Sequence, residues 1–198
     1  MYDVIISRSS LGDIPDLINI ASTTYFQHYS YLWHDKGEEY VAKHFNERTL
    51  RSEMKAPNAA FFMIYYQNQL AGYLKLNVQA ALGDHDQHDC LEVERIYLLQ
   101  EATGNGVGQQ VMEFVLRFAR EKGKRVVWLK VMDSSSQAIR FYEKAGFGKA
   151  ASLPVYFPLL KEELRGMHVM KLNVPLAGKI SYAGTSQRRS TKKEVCVG

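Results

Sequence analysis

The sequence predicts an α/β fold in which one mixed sheet carries helices. Three observations predict it. Strand-like and helix-like segments follow in the order β-α-α-β-β-β-α-β-α-β-β. RVVWLKV is almost continuously apolar, as a strand buried between parallel neighbours is. AAFFMIYYQ and LAGYLKLNV flank the turn QNQ and read as a hairpin.

Each element has its own signal. Val4, Ile5 and Ile6 make a short first strand. Asp13 precedes the apolar-periodic run Ile14, Leu17, Ile18 and Ile20, with Pro15 near the first helical position. That is a capped helix start, and the helix runs to about Tyr29. A second helical region covers about Glu38 to Met54. After the hairpin, GDHDQHD is a polar loop and LEVERIYLL a strand. VGQQVMEFVLRFAREKG is an amphipathic helix that buries Val107, Val111, Val115 and Leu116, with Gly123 as its stop. SSQAIRFYEKAGF is a helix opened by a serine cap. Strands close the domain around Ala151 to Phe157 and His168 to Val174.

Composition limits the function classes. Hydrophobic residues make up 46% and charged residues 23% of 198, an ordinary globular profile. Cys90 and Cys196 form no CxxC pair, and the N-terminus has neither a basic region nor a long apolar run. Together these point to a cytoplasmic protein with no membrane span. Residues 175–198 hold Lys179, Arg188, Arg189, Lys192 and Lys193 against Glu194, which accounts for the whole net charge of +4. The body at 1–174 is therefore neutral and offers no nucleic-acid face. The basic, Gly/Ser/Thr-rich tail at 175–198 is a dispensable extension or an arm that packs on a neighbour. DHDQHDC offers His85, His88 and Cys90, but the spacing suits a solvated acidic tip better than a metal site. No metal is expected.

TGNGVG, residues 103–108, has the composition of a phosphate loop. A Walker loop needs Lys and Ser/Thr after its last glycine, and Gln109 and Gln110 stand there. A dinucleotide fingerprint needs GxGxxG after the first strand, and here GxGxG follows the fourth. What remains is a strand running into glycines and then into a helix. Such a helix start offers unpaired N–H groups and a positive dipole end to a pyrophosphate.

LEVERIY, the GxGxG loop and AIRFYEKAGF, in that order and spacing, resemble the GCN5-related N-acetyltransferase (GNAT) family. The likeness covers about residues 3 to 174. Its finer pattern is similar to bacterial PaiA-type spermidine/spermine N-acetyltransferases. The resemblance implies the GNAT fold: a mostly antiparallel sheet of about seven strands, splayed between the fourth and fifth, with helices on both faces. It implies acetyl-CoA as co-substrate and direct transfer of acetyl to a primary amine, with a polyamine as favoured acceptor. A protein N-terminus, an amino acid, an antibiotic amine, or a CoA-binding module without catalysis are the rival readings. The family also often forms homodimers.

The same resemblance distributes roles. Thr103, Gly104, Asn105, Gly106, Val107 and Gly108 would hold the pyrophosphate on their backbone. The pantetheine arm would run along Ile96, Tyr97 and Leu98 like an added strand, with an N–H near Leu98 facing the thioester oxygen. Ser135 stands where the family often has Asn, and Thr103 where it has Arg or Gln. Tyr142 matches the general acid, since a phenol can protonate a departing thiolate. Strand alternation would put Glu92 and Glu94 on one face with Ile96 and Leu98. Glu94, nearest the splay, is the candidate base, and Glu92 a carboxylate of the acceptor channel. Tyr29 and Tyr31 would wall the acceptor pocket and meet alkyl stems or ammonium groups.

Overall fold

The structure is a computed structural model that describes residues 4–175. The tail predicted for 175–198 therefore lies outside the described residues except for Pro175. Seven strands form one sheet in the order β1-β2-β3-β4-β5-β7-β6. They are β1 (Val4–Arg8), β2 (Ala59–Tyr66), β3 (Gln69–Asn77), β4 (Cys90–Leu98), β5 (Val126–Met132), β6 (Gly148–Pro154) and β7 (Gly166–Asn173). Only β4 and β5 pair in parallel; every other neighbour is antiparallel. Gln67 and Asn68 both take left-handed φ, 52° and 63°. That two-residue turn matches strand twist, so β2 and β3 close as the predicted hairpin.

The helices are α1 (Ile14–Tyr29), α2 (Glu38–His44), α3 (Glu47–Lys55), α4 (Val107–Glu121) and α5 (Ser136–Lys144). One face of the sheet takes α4 and α5. There Val107, Val111, Met112, Val115 and Tyr142 pack on Leu74, Leu76, Leu91 and Val93. The other face takes α1, α2 and α3, whose Leu17, Tyr25, Val41 and Leu50 meet Phe61, Met63 and Tyr73. Leu116 is only half-buried at the margin of the first core. No helix among the described residues is long and apolar enough to cross a membrane.

Four local expectations are corrected. Asp13 does not cap α1; its carboxylate accepts from the Ser10 N–H at 2.7 Å and the Ser10 hydroxyl at 2.9 Å, closing a tighter turn before the helix. Pro15 does sit in the first turn of α1. The helical region from Glu38 to Met54 is two helices, because Asn46 serves both. Its Nδ2 donates to the Ala42 and Lys43 carbonyls of α2, and its Oδ1 accepts from the Thr49 N–H of α3. Ser135 makes no side-chain cap on α5. The last two strands each begin a few residues earlier than their apolar runs suggest.

The feature that positions the site is a mismatch of length. β4 has nine residues, yet it pairs with β5 only over Cys90–Val93. β5 meanwhile continues along β7 to Met132. The sheet is thus open between its fourth and fifth strands from Glu94 onward.

Candidate active site

The glycine loop lies at the end of that opening. Gly104 and Gly106 both hold φ at +78°, a left-handed conformation that side chains resist. A Cβ at either would meet nothing within 4 Å, so the space over the loop is open. Gly106 is the residue before α4, and no side chain caps that helix. Its first N–H groups therefore lack intrahelical partners and face outward with the positive dipole end. Gly108 serves packing instead: a Cβ there would press on the Phe141 ring at 3.3 Å. The loop and the FY pair of α5 thus touch. Thr103 departs from expectation, since its N–H and hydroxyl both donate to the Gln100 carbonyl, at 3.1 and 2.6 Å. The donors left for an anion begin at Gly104.

Backbone alternation decides what β4 offers to the opening. The Leu99 N–H donates to Ala71 of β3 at 2.8 Å, while Leu98 stands opposite Gly72. In an antiparallel ladder, alternate residues turn both backbone groups to the same neighbour. Tyr97 therefore bonds to β3, and Ile96 and Leu98 face the gap. Of the three residues expected to serve the arm, Ile96 and Leu98 turn their backbone groups to the opening and Tyr97 turns its own to β3.

The side chains follow a different rule. Lys75 pairs with Arg95 but Leu76 pairs with Val93, which leaves Glu94 as one extra residue. This bulge resets the alternation. Leu91, Val93, Ile96 and Leu98 all pack toward α4, whereas Arg95 and Tyr97 turn to the α1–α3 face. Glu92 and Glu94 lie on this second face, joined through Asn77 Nδ2 at 2.8 and 2.7 Å. The predicted face shared with Ile96 and Leu98 is thus overturned by one inserted residue.

Neither glutamate is free. Glu94 Oε1 meets Lys75 Nζ at 2.7 Å and Arg95 at 3.2 Å, and Glu92 meets Lys130 at 3.1 Å. Glu53, reaching down from α3, binds Arg95 with both oxygens at 2.8 and 2.9 Å and Lys75 at 3.0 Å. Burial alone would push the Glu53 carboxyl up, but Arg95 and Lys75 more than reverse it and hold it below its ordinary value.

Tyrosines line the remaining walls. Tyr142 is buried against Phe141 and Phe147. Burial first, and then the nearby Tyr29, push its phenol well above the usual tyrosine value. Tyr29 packs on Tyr25 and Tyr97, and burial, Tyr31 and Tyr40 raise it to about 12. Both stay protonated at neutral pH. The Tyr31 hydroxyl lies 3.0 Å from Ser134 Oγ and 3.4 Å from Ser135 Oγ. Two residues predicted to meet different molecules thus meet each other across the mouth of the opening. The loop around His85 and His88 is exposed, and no group of three metal-ligand side chains is found among the described residues.

Residues 15–147, from the first turn of α1 past the end of α5, match the acetyltransferase (GNAT) family. The chain belongs to the GNAT family. It is an acetyl-CoA-dependent N-acetyltransferase with acetyl-CoA as co-substrate. An uncharacterized N-acetyltransferase of Lactobacillus delbrueckii subsp. lactis is 33% identical over 150 residues, 74% of this chain and 85% of the relative.

Solved GNAT-like folds agree at low identity. The PaiA N-acetyltransferase from Thermoplasma acidophilum, in complex with coenzyme A, superposes with a TM-score of 0.69 at 19% identity, covering 86% of this chain and 99% of that one. A mutant of the spermidine N-acetyltransferase of Vibrio cholerae gives 0.64 at 17%, covering 86% and 93%. A ribosomal-protein-alanine N-acetyltransferase from Escherichia coli gives 0.63 at 21%, covering 91% and 99%.

For this GNAT chain, motif spacing missed the residues that hold the site from outside. Glu53, Lys75, Asn77 and Arg95 have no motif; only their positions on three separate elements bring them to Glu92 and Glu94. Gln27 and His28, on the last turn of α1, bond the backbone of Gln100 and Leu98. A depression of about 430 Å³ between Arg8, Asn58, Phe118 and Lys122 lies away from the opening.

Proposed function

We propose that this enzyme moves acetyl from acetyl-CoA to a primary amine of a polyamine, by direct attack in a ternary complex. One observation carries the reading: the unpaired half of β4 runs directly into backbone donors at the start of α4. The pyrophosphate sits on the N–H groups from Gly104 into the first turn of α4. The pantetheine arm adds alongside β4, bonding the backbone of Ile96. That places the thioester at Leu98, whose N–H donates to the carbonyl oxygen as negative charge develops.

The attacking nitrogen must lose a proton, and the sulfur must gain or share one. Glu94 takes the first through water on the acceptor face. Its Oε1 pairs with Lys75 and Arg95, while Oε2 accepts from Asn77 and is the oxygen that meets the water. Tyr142 serves the second. With its acidity lowered by burial, it works mainly by donating a hydrogen bond to the departing thiolate. Ser135 reaches the arm once the Tyr31 hydroxyl is displaced, and Tyr29 and Tyr31 wall the acceptor side.

The polyamine acceptor draws on the likeness to the spermidine enzyme and on Glu92 and Glu94 beside the gap. A protein N-terminus draws equally on the ribosomal-protein enzyme's fold. Thiol release from acetyl-CoA should be measured with spermidine, spermine, alanine-started peptides and aminoglycoside-type amines. Fastest turnover of spermidine is expected; preference for a peptide would replace the polyamine reading. Silence across the panel with intact CoA binding would leave only a binding module. In the same assay, Glu94→Gln should cut the rate roughly 10-fold to 100-fold at pH 7. An unchanged rate would assign the base elsewhere.

A further inference from the structure

We infer that His28 and Gln27, on the last turn of α1, are positioning residues for acetyl transfer: they clamp the exit of β4 so that Leu98 presents its N–H, and not its carbonyl, to the thioester. The inference rests on the acetyl-transfer reading of the β4 edge given above.

Both backbone groups of Leu98 face the gap, because Leu99 on one side and Tyr97 on the other are turned to β3. With no β5 partner beyond Val93, the Leu98 carbonyl is an acceptor left over in the active site. His28 Nε2 lies 2.8 Å from that oxygen. A carbonyl only accepts, so His28 carries its proton on Nε2 and donates. Two residues further, the Gln100 N–H donates to Gln27 Oε1 at 2.9 Å. The peptide between Leu98 and Leu99 is thus fixed at both ends, its oxygen by His28 and its N–H by Ala71. The segment it leads into is the turn at Gln100–Ala102 and then the glycine loop.

The chemistry asks for such a clamp. An unbonded carbonyl beside the thioester would bind the acceptor as an ammonium ion and oppose its deprotonation. It would also repel the oxyanion that the neighbouring N–H is meant to stabilise. Occupied by His28, it does neither. Gln27 meanwhile sets the distance between the thioester end and the pyrophosphate end of the same co-substrate. Neither residue needs to touch the reacting atoms.

The test compares wild type, His28→Ala, His28→Gln and Gln27→Ala. Turnover of acetyl-CoA with spermidine is followed by thiol release, CoA affinity by calorimetry, and amide hydrogen exchange across 96–100 by mass spectrometry. Glutamine places an amide nitrogen close to the position of Nε2, so it keeps the donor. For His28→Ala, kcat should fall roughly 10-fold or more while CoA affinity stays within about 3-fold. His28→Gln should recover most of the rate. Gln27→Ala should instead raise KM for acetyl-CoA about 3-fold with kcat little changed.

A full rate in His28→Ala, or a glutamine variant as slow as the alanine one, overturns the clamp. If wild type turns over no spermidine, the acceptor reading fails separately. Exchange then decides, since the clamp requires faster exchange at Leu98 to Gln100 in His28→Ala, and unchanged exchange refutes it.

Discussion

The two sides of the β4 gap are built on different terms. On the α4 side, the loop from Gly104 to Gly108 is shaped by two left-handed φ values, one close approach to Phe141 and the hydrogen bonds that Asn105 Nδ2 donates to the Glu101 and Thr103 carbonyls. On the α1–α3 side, Glu53, Lys75, Arg95, Glu94, Asn77, Glu92 and Lys130 form one continuous polar network from four elements. The first side is local and exposed. The second is non-local, and its two main cations, Lys75 and Arg95, are 7% and 8% exposed. A site of the first kind survives most substitutions around it, whereas one of the second kind depends on every partner.

The largest expected effect breaks the second side. Arg95→Ala leaves Glu53 without its bidentate partner and should destabilise the fold by about 3–5 kcal/mol, read from urea unfolding. A loss below about 1 kcal/mol would show that the network relaxes onto solvent and that the contrast is overstated. Next in size is Tyr142→Phe, which should lower kcat roughly 100-fold while the Kd for acetyl-CoA holds. Wild-type activity in that variant would reduce Tyr142 to an anchor between Phe141 and Phe147.

Gly106→Val probes the first side. Forcing a branched residue to φ near +78° should cost about 1–2 kcal/mol and raise KM for acetyl-CoA several-fold, with kcat at saturation preserved. An unmoved KM would place the pyrophosphate elsewhere. The smallest effect is a pH dependence. The folded Glu53 carboxyl lies below its ordinary value of 4.5. Its stabilising contribution is therefore complete above that value and lost as pH falls below it. Melting temperature should drop more steeply below pH 4.5 in wild type than in Glu53→Gln. Parallel curves would mean that Glu53 contributes nothing through its charge.

Much of this was legible in the residues. The element order, the hairpin turn and the glycine loop before α4 depend on periodicity and on φ requirements that single residues carry. What was not legible follows a pattern. Asn46 splits one helical run in two by bonding both halves, and Asp13 caps a turn that precedes its helix. Thr103 spends its donors on Gln100. Each is a polar side chain with several partners in reach, and only folded geometry chooses among them.

Sequence alone pointed to the family of chemistry, because LEVERIY, the glycine loop and AIRFYEKAGF stand in that order and spacing along one chain. Only the tertiary structure decided how the opposite side works. Which face Glu92 and Glu94 take depends on whether β4 carries an extra residue at 94, and the pairing of Lys75 with Arg95 and Leu76 with Val93 settles that. With a side-chain period of two, one inserted residue moves every later side chain to the other face, and no count along a single strand reveals its partner's register.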